Sequence, residues 1–292
     1  MNVTVLELIE ASAAQLEAAG LTFENGFGQG TTNAFDEAAW LVMWQLGLPL
    51  DDLDSVSNMP VAPAEHAQVA TLLGARIATR KPAAYLTHEA WLMGVPFYVD
   101  ERVIIPRSFI AELLVDESID PWLRENTRRV LDLCTGNGSL AVLAAMTYPD
   151  VLVDAADISP EALAVARINV DKHALGSRIT LIESDGLLAC PGRYDLILCN
   201  PPYVNAASMA ALPAEFKAEP ALALGGGSDG MDFIRSLFLT AAAHMSENAV
   251  LVLEIGNERG NFERAFPQLE PLWFETSAGS DQVMLITREQ LV

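Results

Sequence analysis

Positive charge is what this sequence has least of. Its 292 residues include 17 Lys or Arg against 39 Asp or Glu, a formal net charge of −22, and residues 1–75 hold no Lys or Arg while carrying ten acidic side chains. That balance argues against a general nucleic-acid or anionic-membrane binder, because phosphates would be repelled. A basic protein partner is compatible with it, and a salt-adapted source would give the same excess. Cysteine is scarce as well. Cys134, Cys190 and Cys199 are odd in number and show no Cys-x-x-Cys spacing, so neither a disulfide framework nor a zinc site is expected, no metal is called for, and a reducing cytoplasm fits. Long apolar runs are missing too. Stretches such as Leu140 to Met146 are far too short to cross a bilayer, and Met1 to Glu10 has neither a basic region nor a cleavable apolar segment. The expectation is a soluble cytoplasmic protein with no membrane partner. What is present is apolar content, 51% of the chain. It is enough to exclude global disorder and to support one large domain with a smaller appendage.

The front of the chain reads as helical. Val5, Leu6, Ile9, Ala13 and Leu16 recur at helical spacing and Gly20 can end that helix. A glycine-rich loop, Gly26 to Gly30, follows. Ala38, Leu41, Val42 and Leu46 mark a second helix closed by Gly47, and Ala64 to Ala78 a third behind a proline. Trp40, Met43 and Trp44 belong to its packing. At Pro82 the period changes, and two short strands around a tight turn are expected between Trp91 and Val99. The chain divides on this reading into a helical domain at 1–80, a hairpin connector at 81–107 and a third part at 108–292. Charge balances only at 76–129, so any phosphate contact is expected around Arg76, Arg80, Lys81, Arg102 and Arg107.

From residue 128 strands and helices alternate. Strands are expected at Val130 to Cys134, Val151 to Asp157, Ile179 to Glu183, Tyr194 to Cys199 and Val250 to Glu254. Helices fall at Ser139 to Thr147, Pro160 to His173 and Met231 to His244. This alternation implies a mostly parallel, doubly wound sheet. The final strands, Trp273 to Ser277 and Val283 to Thr287, are joined by too few residues for a parallel crossover and must be antiparallel.

Three strand ends carry chemistry. The first ends Asp132-Leu133-Cys134-Thr135-Gly136-Asn137-Gly138, where two glycines let backbone approach a ligand closely. With Ala141 the run also satisfies the dinucleotide fingerprint, so alone it is a weak signal. The second ends at Asp157, whose carboxylate can accept from both hydroxyls of a ribose; Asp154 competes but precedes the strand's end, and capping of the next helix is the structural alternative for Asp157. The third closes in Glu183-Ser184-Asp185-Gly186, where an adenine amino group could be read. Together these favour a nucleoside cofactor, with NAD and S-adenosylmethionine both open.

The fourth strand ends Asn200-Pro201-Pro202-Tyr203. A double proline directly after an apolar strand is costly unless that backbone shape is needed. The proline carbonyls and the Asn200 side-chain carbonyl give acceptors for both hydrogens of a planar NH₂ group. An amide or aminopurine nitrogen is a poor nucleophile because its lone pair is delocalised. Two acceptors orient it and stabilise the positive charge that grows on nitrogen as it attacks a methyl group. Tyr203 would lie on the group's flat face, and neither a metal nor a strong base is needed.

With these motifs in place, the chain from about 105 to 292 resembles the class I S-adenosylmethionine-dependent amino-methyltransferases, which act on adenine, cytosine or a glutamine amide. Lys81-Pro82-Ala83-Ala84-Tyr85-Leu86, the run Phe97 to Arg107, and Glu219-Pro220 followed by Gly225-Gly226-Gly227-Ser228-Asp229-Gly230 resemble the HemK group of glutamine methyltransferases, over nearly the whole chain. Pro106-Arg107-Ser108-Phe109 looks like the PrmB branch, which methylates a glutamine of large-subunit ribosomal protein three, rather than the release-factor branch. The resemblance implies a seven-stranded Rossmann-like methyltransferase sheet with an antiparallel last strand, preceded by a small helical substrate-recognition domain and a hairpin. It implies S-adenosylmethionine as cofactor, held by Asp132, Thr135, Gly136, Asn137, Gly138, Asp157, Asp185, Gly186 and Asn200. It implies catalysis at Asn200, Pro201, Pro202 and Tyr203, with substrate bound by Asn200, Pro201, Tyr203 and Arg107; for Arg107 an ion pair holding the connector is the alternative. The partner implied is ribosomal protein three or a ribosome assembly intermediate, with no sequence-specific DNA binding. Release-factor methylation, nucleic-acid amino-methylation, a cofactor-fold assembly binder and NAD-dependent hydride transfer stay open as competing readings. Cys134 departs from the release-factor branch, which has Gly there, and no redox role is expected of it.

Overall fold

A computed structural model describes residues 3–27, 29–213 and 215–292. Gly28, in the glycine-rich loop expected from sequence, lies outside the described residues. The chain forms two compact units. The first gathers residues up to Ala90 together with Val99–Glu101 and Leu212–Glu219; the second holds the remainder.

The first unit is helical: α1 (Val5–Ala18), α2 (Ala34–Gln45), α3 (Leu53–Val56), α4 (Pro63–Thr79) and α5 (Ala83–Thr87). Local chemistry sets the helix starts. Thr4 and Glu7 close a capping box on α1, Asn33 accepts from the Asp36 amide at 2.9 Å to start α2, and Pro63 opens α4. Leu8, Ile9, Leu16, Leu41, Val42, Val69 and Leu73 meet in one core.

Beside that core sits a buried ionic cluster. Arg76, with no exposed surface, donates from Nε to Glu37 Oε1 (2.8 Å), from Nη2 to the Gly26 carbonyl (2.5 Å) and from Nη1 to Glu215 Oε1 (3.4 Å). Arg80 Nε reaches the same Glu215 oxygen at 2.7 Å. Burial pushes Glu37 above the usual carboxylate range against the pull of Arg76. This corrects the expectation of phosphate contacts here. Arg76 is inside the unit, Arg80 is engaged with Glu215 and Asn25, and Lys81 pairs with Glu101.

The second unit opens with a hairpin, β1 (Ala90–Leu92; Ala90 itself belongs to the first unit) and β2 (Val95–Phe97), as expected. Its sheet comprises β3 (Arg129–Leu133), β4 (Leu152–Asp157), β5 (Ile179–Glu183), β6 (Tyr194–Cys199), β7 (Met245–Glu254), β8 (Leu272–Trp273) and β9 (Val283–Thr287), in the order β5-β4-β3-β6-β7-β9-β8. β3 to β7 pair in parallel and β9 runs antiparallel to both β7 and β8. The seven-stranded sheet with a reversed end is thus the one expected.

Alternate strand residues feed two cores, as the pleat requires. Val130, Leu196, Leu198 and Val252 pack on one face with α6 (Ile110–Val115), α7 (Ser139–Thr147) and Val170 of α8 (Pro160–Lys172). Leu131, Leu133, Ile197 and Leu251 pack on the other with α10 (Asp232–His244) and α11 (Arg259–Ala265); α9 (Ala206–Ala211) lies between β6 and α10 in sequence. No helix among the described residues is long and apolar enough to cross a membrane.

Candidate active site

The strand order reverses at β3. From there the chain proceeds to β4 and β5 on one side, then returns to β6 and β7 on the other. Such a switch point leaves a crevice beyond the carboxyl ends of the strands. A cleft open at its mouth occupies that position, where open α/β sheets take their ligands. Its wall includes Gly136, Asp157, Asp185, Gly186, Asn200 and Pro202. Three strand ends and the double-proline motif, separated by up to 66 positions in sequence, are therefore brought to one cavity.

Asp157 is the hinge of this arrangement. Its Oδ2 accepts from the Gly136 amide and its Oδ1 from the Ser159 amide, both at 2.9 Å. It does not cap α8; Ser159 does, accepting from the Ala162 amide. Each carboxylate oxygen has a second lone pair for a ligand hydroxyl. Burial pushes the carboxyl up while these amides pull it down, the former winning. The competitor Asp154 sits mid-strand, committed to Arg129 (2.5 Å) and the Tyr194 hydroxyl (2.8 Å).

Asp132, Thr135, Asn137 and Gly138 lie beneath the wall and brace the loop. Asp132 Oδ2 accepts from Thr135 Oγ1 (2.5 Å) and the Ala141 amide (2.9 Å). Burial pushes the Asp132 carboxyl up to about 7. Asn137 Oδ1 accepts from the Ser139 amide at 3.1 Å. Two buried polar atoms here, Asp132 Oδ1 and Asn137 Nδ2, have no protein partner among the described residues. They are an acceptor and a donor, the pair that the ammonium and carboxylate of an amino-acid moiety would satisfy.

In the Asn200–Tyr203 run, Asn200 and Pro202 face the cleft, Pro201 is buried, and Tyr203 is half-buried beside it. The Tyr203 hydroxyl donates to Glu254 Oε1 at 3.4 Å. Arg107 is absent from the cleft wall, and its Nη1 donates to the Ile105 carbonyl at 3.1 Å.

Sequence reasoning missed several wall residues: Val103, Ile104, Ile158, Leu222 and Phe233; Arg102, expected only as a phosphate contact, lines the cleft as well. Ile158 and Leu222 are unusually exposed for their type, 49% and 62%. The sequence signal for Leu222 was its place between Glu219-Pro220 and the glycine run. Asn169 was also missed. Its Nδ2 donates to the carbonyls of Asn137 (2.8 Å) and Tyr98 (3.0 Å), tying the loop to the end of the hairpin.

Known proteins share these features. The model of the methyltransferase small domain family matches residues 111–228. The catalytic domain of hMettl16, in a crystal structure with the MAT2A 3′UTR hairpin 6, has the same fold: the TM-score is 0.52 at 14% identity, covering 77% of this chain and 81% of that one. A ribosomal protein uL3 glutamine methyltransferase of Bordetella pertussis is 50% identical over 99% of this chain and 96% of its own length. One of Burkholderia pseudomallei is 48% identical over 99% and 95%, respectively. On this likeness, which runs through the helical unit as well as the sheet, the chain belongs to the family of ribosomal protein uL3 glutamine methyltransferases.

Proposed function

We propose that the chain transfers a methyl group from S-adenosylmethionine to the side-chain amide nitrogen of a glutamine in ribosomal protein uL3. The observation that carries this reading is the meeting of Asp157, Asp185 and Asn200 in one cleft, in a chain of this family. S-adenosylmethionine, when bound, supplies an electrophilic methyl on sulfur. Asp157 would hold the ribose hydroxyls, and Asp185 with Gly186 the adenine edge. Asp132 and Asn137, with their uncommitted oxygen and amide nitrogen, would serve the methionine end.

Asn200 and the Pro201 carbonyl accept the two N–H bonds of the glutamine amide and stabilise charge as it develops on nitrogen. Tyr203 restrains the amide plane. The proton becomes acidic once the nitrogen carries the methyl, so these acceptors suffice to release it toward solvent. A chain with 39 acidic and 17 basic residues suits a basic ribosomal protein, whose approach its net negative charge would steer. The acceptor is free uL3 or uL3 in an assembly intermediate, and the cytoplasm is the compartment in which both occur.

The test is direct. The enzyme is incubated with methyl-labelled S-adenosylmethionine and, separately, uL3, release factors and ribosomal RNA, and the label is located by mass spectrometry. Label on a uL3 glutamine is expected. Label confined to a release factor or to an RNA base would overturn the reading.

A further inference from the structure

Tyr203 sits in a socket whose parts come from two stretches of the chain distant from it in sequence, the glycine run at 225–230 and the end of β7. Gly256 follows β7, and a Cβ there would come within 2.5 Å of the Tyr203 ring. Gly230 packs against the Tyr203 carbonyl, closely enough that a Cβ would collide with it. The run Gly225-Gly226-Gly227-Ser228-Asp229-Gly230, conspicuous in sequence but without an assigned task, thus forms the wall against which Tyr203 lies. The Val204 amide and carbonyl continue this attachment, donating to Leu224 (2.8 Å) and accepting from Gly226 (2.9 Å).

The remaining side of the socket is Glu254, the last residue of β7 and 2% exposed. Its two oxygens have different duties. Oε2 accepts from Ser108 Oγ at 2.6 Å and from the Phe109 amide at 2.9 Å, which anchors the start of α6 directly after Arg107. Oε1 faces the Tyr203 hydroxyl at 3.4 Å. A fully buried carboxyl is costly to maintain unless its donors repay the desolvation, and a β-branched or aliphatic residue would complete the strand at lower cost. From this position the carboxyl reaches both the entry segment and the tyrosine.

We infer that Glu254 is a positioning residue for methyl transfer: by accepting the Tyr203 hydroxyl while clamping Ser108 and Phe109, it fixes the tyrosine ring against the substrate amide and registers the Arg107 segment to it. The inference rests on the glutamine-methylation reading for its kinetic consequence, though not for its geometry. A ring free to rotate about its side-chain bonds would leave the amide less well oriented, and misplacement of a reacting group carries large rate penalties. Burial also pushes the Glu254 carboxyl up to about 7. Its protonation thus changes near neutral pH, and with it the sense of the bond to Tyr203. The groups facing it are the Ser108 hydroxyl, the Phe109 and Ile110 amides from the start of α6, and Tyr203. Nearby charged groups on the packed elements have partners of their own: Arg107 at Ile105, Glu112 at Ser277 and Glu258 at Asn205.

Two measurements test this. The first needs no turnover. The chain has five tyrosines, so ring-¹³C-labelled protein gives a spectrum in which Tyr203 is assigned by loss of its signal in Tyr203→Phe. The Tyr203 signal should shift with pH around a midpoint near 7, and Glu254→Gln, which keeps volume and an acceptor, should abolish that shift. A Tyr203 signal that ignores Glu254→Gln overturns the inference even if methylation proceeds normally. The second is a kinetic cycle on uL3. Glu254→Gln and Tyr203→Phe should each lower kcat by about tenfold with little change in S-adenosylmethionine binding, and the double variant should be no worse than the single ones. Multiplicative losses would overturn it. Absence of methylation by the wild type would sink the proposed function alone and leave the spectroscopic arm decisive.

Discussion

The Asp157 carboxylate accepts the Gly136 amide at 2.9 Å, so the end of β4 is bonded to the loop that follows β3. One side chain therefore shapes the glycine loop and presents lone pairs to the cleft. Asp157→Ala removes both contributions. Loss of hydrogen bonds to a charged group costs about 1.5–3 kcal/mol, so affinity for S-adenosylmethionine should fall about 10- to 100-fold in a calorimetric titration. Asp157→Asn, which keeps one acceptor, should lose less. Unchanged binding in the alanine variant would remove Asp157 from the cofactor site.

Asn200 makes the opposite prediction. It lines the same cleft, but its assigned work begins only when charge grows on the amide nitrogen. Asn200→Ala should leave cofactor affinity close to that of the wild type and lower single-turnover methyl transfer by roughly 10²-fold. A variant that binds poorly yet turns over normally once saturated would reverse the assignment.

Cofactor binding should depend on pH through Asp132. Its carboxyl is pushed up to about 7 by burial, and its Oδ1 has no protein partner among the described residues. An ammonium placed there prefers the ionised form, so below pH 7 binding must first release a proton. Affinity for S-adenosylhomocysteine, which keeps the same amino-acid end, should thus rise from pH 6 to pH 8, by at most about tenfold per pH unit below 7. Asp132→Asn should flatten that dependence. A flat wild-type profile over the same range would show that Asp132 does not meet the ammonium.

Much of this was legible in sequence for identifiable reasons. β3, β4 and β6 are apolar runs buried on both faces and stopped by Gly, Asp or Pro, so their ends, where the chemistry sits, were readable. Asp157 and Asn200 inherit their legibility from those ends. The apolar pattern marks β7 only from Val250; in the fold Met245 already pairs with Tyr194, and regular pairing begins at Val250 after a register shift. β8 shrank to Leu272–Trp273, since Thr276 turns back to bond Gly279. Glu254 was read only as the end of a strand. Its donors lie 145 and 146 positions away, a relationship with no local periodicity. Glu215 is similar. It stands 139 positions from Arg76, and nothing in the pattern around it announced that Leu212–Glu219 belongs with the helical unit.

The charge distribution gives a kinetic prediction. Residues 3–75 of the helical unit include Glu10, Glu17, Glu24, Asp51 and Asp54, all exposed, with no Lys or Arg among them. If this field steers a basic substrate, the association rate with uL3 should fall steeply with salt, by roughly tenfold or more between low and physiological ionic strength, while dissociation changes little. Stopped-flow mixing at several salt concentrations measures this, and a rate indifferent to salt would assign the excess charge to another cause.

The buried cluster at Arg76 predicts where the helical unit is weakest. Arg76→Met keeps the length of the side chain but strands the charge of Glu37, which is 3% exposed, and leaves Glu215 paired with Arg80 alone. Breaking a buried pair in this way costs about 3–5 kcal/mol, so chemical denaturation should show a large loss. The loss should itself depend on pH. Glu37 already lies above its ordinary range because of burial, with Arg76 opposing, and removing the guanidinium drives it further up. A raised carboxyl favours the folded state at low pH, where the proton is held in both states, and costs stability as pH rises from the unfolded value through the folded one. The variant's deficit should therefore be larger at pH 8 than at pH 5. Adding Glu37→Gln to Arg76→Met should recover part of it at pH 8, since the charge that must be buried is gone. A deficit equal at both pH values would mean that lost packing, rather than stranded charge, accounts for the damage.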